Sequence, residues 1–146
     1  MHFQKCDYLF VNQVKLRLQH NSIRFRLKRS DVEQFARTGR VEEKIISGSG
    51  DNQMFGYVLE STEKVSSLKA TVRPGAIIVQ VPPAVVMRWA STDQIGIEGE
   101  QAVDKQTGLR ILIEKDFACI DGTDEQNADT FPNPLIEVRK LSEISS

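Results

Sequence analysis

The sequence predicts an α+β domain rich in β-strands, built as a curved, mostly antiparallel sheet or partial barrel with two short helices. Several short segments alternate apolar and polar side chains, which is the pattern of strands with one buried face. Two other segments repeat apolar residues at helical spacing behind helix-start signals. Most strand segments follow one another across short turns, which favours antiparallel pairing. We expect one domain at residues 14–135, an N-terminal arm at 1–13 and a C-terminal tail at 136–146.

The first element is a β-hairpin formed by residues 14–19 and 22–28, with His20 and Asn21 as its turn. This turn predicts an apolar face made of three cross-strand pairs: Leu18 with Ile23, Leu16 with Phe25, and Val14 with Leu27. The opposite face then carries basic side chains in facing pairs, and like charges directly opposite each other destabilise a sheet. The hairpin therefore needs a source of negative charge.

A short helix follows the hairpin. Its start is indicated by Ser30, whose hydroxyl can accept the amide of Glu33 while the Glu33 carboxylate reaches back, an arrangement called a capping box. Val32 and Phe35 then repeat at helical spacing, so we expect this side of the helix to lie on the sheet. Gly39 supplies the stop.

The middle of the chain predicts two more hairpins. Residues 41–47 and 54–61 form the second, with a flexible glycine-rich loop between them. The third joins residues 68–73 to 76–81 through Pro74-Gly75, the pair expected in a type II turn. The third hairpin and the helix behind it resemble the first hairpin and helix in plan. Because their residues do not match, we interpret this likeness as a shared building pattern.

A second helix and two further strands complete the domain. Pro83 suits the first turn of a helix, where its missing N–H is no loss, and Trp89 lies on the apolar side of that helix. Residues 95–97 and 109–113 are predicted as strands, and the polar residues 98–108 between them as a loop. The strand at 109–113 is expected to be central, since both of its faces carry apolar residues.

The alternation and the helical spacing together predict the core. Trp89 is interpreted as a core side chain, not as a platform for a ligand, and Cys119 as a small buried apolar residue. The predicted core contains Leu16, Leu18, Ile23, Phe25, Leu27, Phe35, Tyr57, Leu59, Val72, Val79, Val86, Trp89, Ile111 and Ile113.

Composition favours a cytoplasmic globular protein. Hydrophobic residues make up 40% and charged residues 27% of the 146 residues, and no apolar run is long enough to cross a bilayer. The N-terminal residues lack the pattern of a signal peptide. Cys6 and Cys119 form no CxxC pair, so we expect no disulfide framework. The net charge is −1, but residues 1–46 carry an excess of five positive charges and the remainder an excess of six negative charges.

The basic face of the first hairpin is the candidate site. Arginine binds phosphate and carboxylate through two parallel hydrogen bonds, so this face can serve a small anionic ligand or an acidic protein segment. The candidate anion-binding residues are Lys15, Arg17, Arg24, Arg26 and Lys28. The ordinary alternative is neutralisation within the chain, by Glu42, Glu43 or Glu60 or by the acidic residues 121–129.

An enzymatic alternative uses the same cations. In a metal-dependent phosphohydrolase acting on a polyphosphate, the cations would hold the substrate and carboxylates would hold Mg²⁺; the candidates are Glu42, Glu43, Glu60, Glu114 and Asp116. Glu42 and Glu43 are adjacent, however, and so point to opposite faces of a strand. The chain has no P-loop, dinucleotide-binding or nucleophile-elbow motif. Its few cysteines and histidines are too scattered for a zinc site, so we expect no cofactor and no metal.

Several stretches resemble a family of small bacterial proteins catalogued only as a domain of unknown function. They are residues 21–27 (NSIRFRL), the helix and following strand at 30–43, residues 108–120 (GLRILIEKDFACI) and residues 129–134 (DTFPNP). The similarity covers roughly residues 14–135. It implies a small soluble bacterial protein, and it carries no activity, cofactor or site residue.

We therefore interpret the protein as a non-enzymatic binding or interaction module that uses the basic hairpin. The alternatives are the phosphohydrolase and a structural, oligomer-forming protein in which the hairpin of one copy meets the acidic C-terminal part of another. Nucleic acid is a weak candidate, because no aromatic residue stands among the basic positions to stack on bases. No membrane association is expected, and the oligomeric state stays open.

Overall fold

The computed structural model describes residues 14–117 and 128–135, which include eight strands, two α-helices and a short 3-10 helix at Asp51–Gln53. The elements are β1 (Lys15–Gln19), β2 (Ser22–Leu27), α1 (Arg29–Thr38), β3 (Arg40–Ile46), β4 (Met54–Ser61), β5 (Lys69–Arg73), β6 (Ala76–Val81), α2 (Pro83–Ser91), β7 (Gly96–Ala102) and β8 (Gly108–Lys115). Neither helix of this part of the chain is long and apolar enough to span a membrane.

The strands are divided between two four-stranded sheets. Sheet A has the order β1-β2-β8-β7, and sheet B has the order β3-β4-β6-β5. In each sheet the two central strands run parallel, and each outer strand pairs antiparallel with its neighbour. The α+β class is therefore confirmed. The strands that we expected in one curved sheet form two mixed sheets, and neither closes into a barrel.

The first and third hairpins have the predicted registers. Leu16 faces Phe25 and Leu18 faces Ile23 across the first turn, where His20 and Asn21 both have positive φ, the conformation of a type I′ turn. In the third hairpin Gly75 alone has a positive φ, 80°, as a type II turn requires after proline. The turn residues therefore fix the register of each hairpin.

One core lies between the inner faces of the two sheets and the two helices. The ring of Phe25 on sheet A lies 5.2 Å from the ring of Tyr57 on sheet B, centroid to centroid. Trp89 is fully buried, as predicted, and its indole N–H donates to the Ile95 carbonyl at 3.0 Å. Two predicted core residues are wrong: Leu18 is 58% exposed and Val72 is 66% exposed. Both lie on outer strands, where the alternation is right but no second layer covers the side chain.

Residues 15–115 consist of two equivalent halves, each a hairpin, a helix and a second hairpin. Adding 54 to a residue number carries β1, β2, α1 and β4 onto β5, β6, α2 and β8, with the same strand partners; β3 maps onto β7 with an offset of 56. The buried apolar residues follow this relation in eight pairs: Ile23/Ile77, Phe25/Val79, Leu27/Val81, Val32/Val86, Phe35/Trp89, Val41/Ile97, Tyr57/Ile111 and Leu59/Ile113. The shared building pattern is therefore a structural duplication with a pseudo-twofold arrangement.

The start of α1 differs from the prediction, whereas its end at Gly39, with φ of 76°, agrees. The helix begins at Arg29, so the predicted Ser30–Glu33 capping box is wrong. Asp31 instead accepts the amide of Lys28 at 3.3 Å. Ser30 is bound by Asp129, whose carboxylate accepts the Ser30 amide at 2.9 Å and the Ser30 hydroxyl. A residue distant in sequence thus caps the helix.

The predicted loop at residues 98–108 is too long, because β7 continues to Ala102 and only residues 103–107 connect it to β8. Its Glu98 and Glu100 lie on the outer face, while Gln101 lies on the inner side and bonds to the backbone of Ala70. A strand with charged residues outside and a glutamine inside lacks the apolar alternation by which sequence reasoning finds strands.

Candidate anion-binding face

The face of sheet A that points away from the core carries the predicted cations. Lys15 and Arg17 lie on β1, and Arg24 and Arg26 lie on β2, alternating with the core residues. Lys15 stands directly opposite Arg26, and Arg17 stands opposite Arg24. The predicted like-charge pairs are thus side by side.

The neighbouring strands β8 and β7 add both signs of charge to this outer face. Alternation along the four strands places five cations and three carboxylates there. They are Lys15, Arg17, Arg24, Arg26 and Arg110, with Glu98, Glu100 and Glu114. Lys28 and Asp116 directly follow β2 and β8 and form a buried pair of their own. The outer face of sheet A therefore has an excess of two positive charges.

Strand β8 supplies much of the negative charge that the hairpin needs. The Arg24 guanidinium donates to Glu114, and Lys15 Nζ lies 3.4 Å from Asp116 Oδ2. Farther along the sheet, Arg110 Nε donates to Glu98 at 2.9 Å.

The acids that we named for neutralising the hairpin lie elsewhere in the described part of the chain. Glu42 pairs with Arg40 on sheet B at 3.2 Å, and Glu60 accepts a hydrogen bond from Gln80 at 3.3 Å. No ion pair joins Glu43 to the hairpin within the described residues. Most of the acidic segment 121–129 lies outside the described residues, and its last residue, Asp129, caps α1.

Lys28 has a different environment from the other four cations. Its side chain is 2% exposed, and its Nζ lies 3.0 Å from Oδ2 of Asp116, whose side chain is 5% exposed. This buried ion pair ties the end of β2 to the end of β8. Of the five predicted anion-binding residues, Lys28 is therefore the least accessible to a ligand.

Arg26 and Arg17 differ in their surroundings. Burial, followed by the positive charge of Arg24, lowers the pKa of Arg26, while Glu114 and Asp116 oppose this shift. Arg26 also interacts with other groups of the protein, so it is not an unpaired cation. Arg17 is exposed at the outer edge of the sheet, and within the described residues no carboxylate forms an ion pair with it. The positive excess is therefore centred on Arg17, beside Arg24.

The family model for DUF7009, described as a family of unknown function, matches residues 14–135. The chain belongs to this family. No curated protein and no solved structure matches it. This match confirms the resemblance to a domain of unknown function that the sequence showed over roughly the same residues.

In this DUF7009 domain the carboxylates of the enzymatic alternative do not converge. Glu114 and Asp116 lie on sheet A, whereas Glu42, Glu43 and Glu60 lie on sheet B. Within residues 14–117 and 128–135, no group of three or more histidine, cysteine or acidic side chains is placed to hold a metal ion.

Sequence reasoning named Glu114 and Asp116 only as carboxylates of the enzymatic alternative and missed their pairing with the cations of the hairpin. Their pairing with β2 depends on a parallel contact between strands about ninety residues apart, which alternation alone does not reveal. One signal was present in the sequence. Arg26 and Lys28 are two residues apart, as are Glu114 and Asp116, so a parallel pairing of the two segments brings opposite charges together.

The inner side of sheet B carries negative charge. Burial, then the nearby carboxylates of Asp31 and Glu43, raise the pKa of Tyr57. Burial likewise raises the pKa of Asp31, although the hydrogen bond from the Lys28 amide opposes the shift. The carboxylates of Asp31 and Glu43 therefore lie near Tyr57, away from the cations on the outer face of sheet A.

Proposed function

We propose that this protein is a non-enzymatic binding module that recognises an anionic group through the outer face of β1 and β2. The observation that carries the proposal is Arg17, a guanidinium with no ion-pair partner in the described part of the chain, held directly opposite Arg24. Two facing cations on a sheet repel each other. A phosphate or carboxylate bound between them removes this repulsion and gains charge-assisted hydrogen bonds.

The duplication supports a functional origin for these cations. The positions equivalent to Arg17, Arg24 and Arg26 in the second half are Thr71, Ile78 and Gln80, which have the same strand partners. The second half therefore builds the same hairpin with neutral residues at these three positions, although Lys69 keeps the charge of Lys15 and Arg73 adds another. The fold does not need three arginines at these positions, so their presence in one half calls for another reason, and binding of an anion supplies one.

The local pairs shape the site. Glu114 and Asp116 draw Arg24 and Lys15 toward β8, which leaves the β1 side of the face the more positive. A ligand held there meets Arg17 first, then Arg24 from the neighbouring strand. We therefore expect Arg17 to dominate affinity and Lys28 to have little direct effect.

The test is a thermal-shift titration with phosphate, pyrophosphate and a dicarboxylate such as succinate, at low ionic strength. A ligand that binds only the folded state raises the melting temperature, by about 2.7 kcal/mol of stability at a hundredfold excess over its dissociation constant. The wild-type protein should show the rise, and Arg17→Ala should reduce it strongly.

The matched control is Arg73→Ala, which removes an exposed arginine from the outer strand of the third hairpin. It changes the net charge by the same amount and should keep the full response. Equal losses in both variants would mean that the effect is general electrostatics. No rise with any of the three anions would overturn the proposal.

A further inference from the structure

The two halves differ at the seam where the outer strands of the two sheets meet. At one seam the Gln101 side chain of β7 spans the gap to β5, accepting from the Ala70 amide at 2.9 Å and donating to the Ala70 carbonyl at 3.0 Å. It thereby occupies the outward backbone groups of an outer strand. By the duplication, the first-half residues equivalent to Gln101 and Ala70 are Ile45 on β3 and Leu16 on β1. Isoleucine cannot make these bonds.

Within residues 14–117 and 128–135, the outward backbone groups of β1 therefore have no equivalent of the Gln101 side chain. Gln19 and Ser22 close a two-residue turn and form a hydrogen-bonded pair, so Leu16 and Leu18 belong to the pairs whose N–H and C=O groups point outward. Within the described residues, no hydrogen bond reaches these outward groups. An edge strand with free backbone groups is a template for another strand.

The side chains of β1 select what can add there. Lys15 and Arg17 line the outer side of the edge, and Leu16 and Leu18 line the inner side, with Leu18 58% exposed. Ile45 on β3, the equivalent of Gln101, is 67% exposed. Glu43, on the inner side of β3, disfavours a second negative group there. An added strand thus meets positive charge on one face and apolar groups with a carboxylate on the other.

We propose that the β1 edge binds an extended acidic segment of another protein by strand addition. The segment would alternate acidic with apolar residues, directing the acids to Lys15 and Arg17 and the apolar residues to Leu16 and Leu18. This inference rests on the proposed function and names the class of its ligand. Basic residues on an edge strand also discourage indiscriminate pairing with other strands. The same charges that exclude most strands admit an acidic one.

The test uses short synthetic peptides and fluorescence anisotropy. The probe alternates glutamate with valine, and its control has the same composition with glutamates and valines in separate blocks. Strand addition predicts that the alternating peptide binds at least about tenfold tighter, which corresponds to 1.4 kcal/mol. Two further versions of the probe carry N-methyl groups on the backbone amides, one on the odd-numbered and one on the even-numbered residues. They measure how much the backbone hydrogen bonds contribute to binding, because only one set of amides faces β1. Methylation of one set should abolish binding, and methylation of the other should have little effect.

A variant of the protein tests the location. Ile45→Gln places on β3 the residue found at the equivalent position of β7, where Gln101 binds the backbone of β5. We expect the substitution to be tolerated because Ile45 is exposed. It should weaken binding of the alternating peptide about tenfold and leave the anion response in the thermal-shift titration unchanged. Arg17→Ala should weaken both.

The outcomes separate the two proposals. If the alternating and block peptides bind equally but Arg17→Ala weakens both, strand addition is refuted and the anion site stands. If pyrophosphate binds while neither peptide does, the ligand class is wrong. If nothing binds, both proposals fall. A protein that self-associates with concentration and loses this in Ile45→Gln uses the edge for a second copy, which also overturns the proposed partner.

Discussion

Removing the carboxylate of Asp116 should cost more stability than any single charge deletion on the outer face of sheet A. Asp116 lies within ion-pair distance of two lysines, 3.0 Å from Lys28 Nζ and 3.4 Å from Lys15 Nζ. Lys28 is almost fully buried, whereas the Lys15 side chain is 27% exposed. Asp116→Asn therefore leaves a buried ammonium without its carboxylate.

The magnitude follows from the cost of an uncompensated buried charge. Breaking a buried pair by removing one partner costs about 3–5 kcal/mol. We expect Asp116→Asn near the lower end, about 3 kcal/mol, because Oδ2 has ion-pair partners but no hydrogen bond of regular geometry within the described residues. Lys28→Met should cost less, since Asp116 then keeps Lys15. The double variant should cost less than the sum of the two single variants.

Urea denaturation monitored by Trp89 fluorescence measures these differences. The control is Glu42→Gln, which breaks the exposed Arg40–Glu42 pair, whose side chains are 52% and 60% exposed. Such a pair contributes about 0–1 kcal/mol. A cost for Asp116→Asn no larger than that of the control would refute the view that the buried pair joins β2 to β8.

Three further predictions concern α1. Gly39→Ala should cost about 1–2 kcal/mol in urea denaturation, because φ is 76° while the added Cβ meets Ser61 only at 3.6 Å, so strain and not collision is the cause; no loss would contradict the left-handed cap. Asp129→Ala should cost about 1 kcal/mol, because the first turn of α1 loses the acceptor of its Ser30 amide; Glu63→Ala, at an exposed position after β4, controls for loss of a charge. For Asp31, whose pKa burial raises in the folded state, the folded protein binds the proton more tightly, so stability should fall as pH rises above the ordinary value of 3.8 and through the folded pKa. Asp31→Asn should remove this fall from thermal melts recorded between about pH 3 and 7, and an unchanged profile would contradict it.

Local chemistry determined how much of the fold the sequence could predict. His20-Asn21 and Pro74-Gly75 each permit few turn geometries, so the first and third hairpins and their registers follow from short stretches of sequence. The start of α1 depends on Asp129, far away in the chain, and so cannot be found locally. The parallel contacts of β2 with β8 and of β4 with β6 are set by the shared core.

The candidate site also has features that follow from local sequence and features that depend on distant residues. The cations of β1 and β2 and their common face follow from alternation and one turn, so the sequence alone identifies them. Which of them is neutralised depends on β8, and so the difference between the buried Lys28 and the exposed Arg17 requires the tertiary structure. The edge of β1 is likewise invisible in sequence, because only the sheet order shows that β1 has a neighbour on one side.

The duplication separates what the fold requires from what one half adds. Paired buried positions such as Phe35 and Trp89 carry large apolar residues in both halves, as a shared core demands. The equivalent surface positions differ: Arg17 against Thr71, and Ile45 against Gln101. Both differences concern β1: Arg17 adds charge to it, and Ile45 cannot bind its outward backbone groups, which have no hydrogen bond within the described residues. These two substitutions are expected together if the edge of β1 binds a strand. Substitutions without functional consequence would have no reason to affect the same edge.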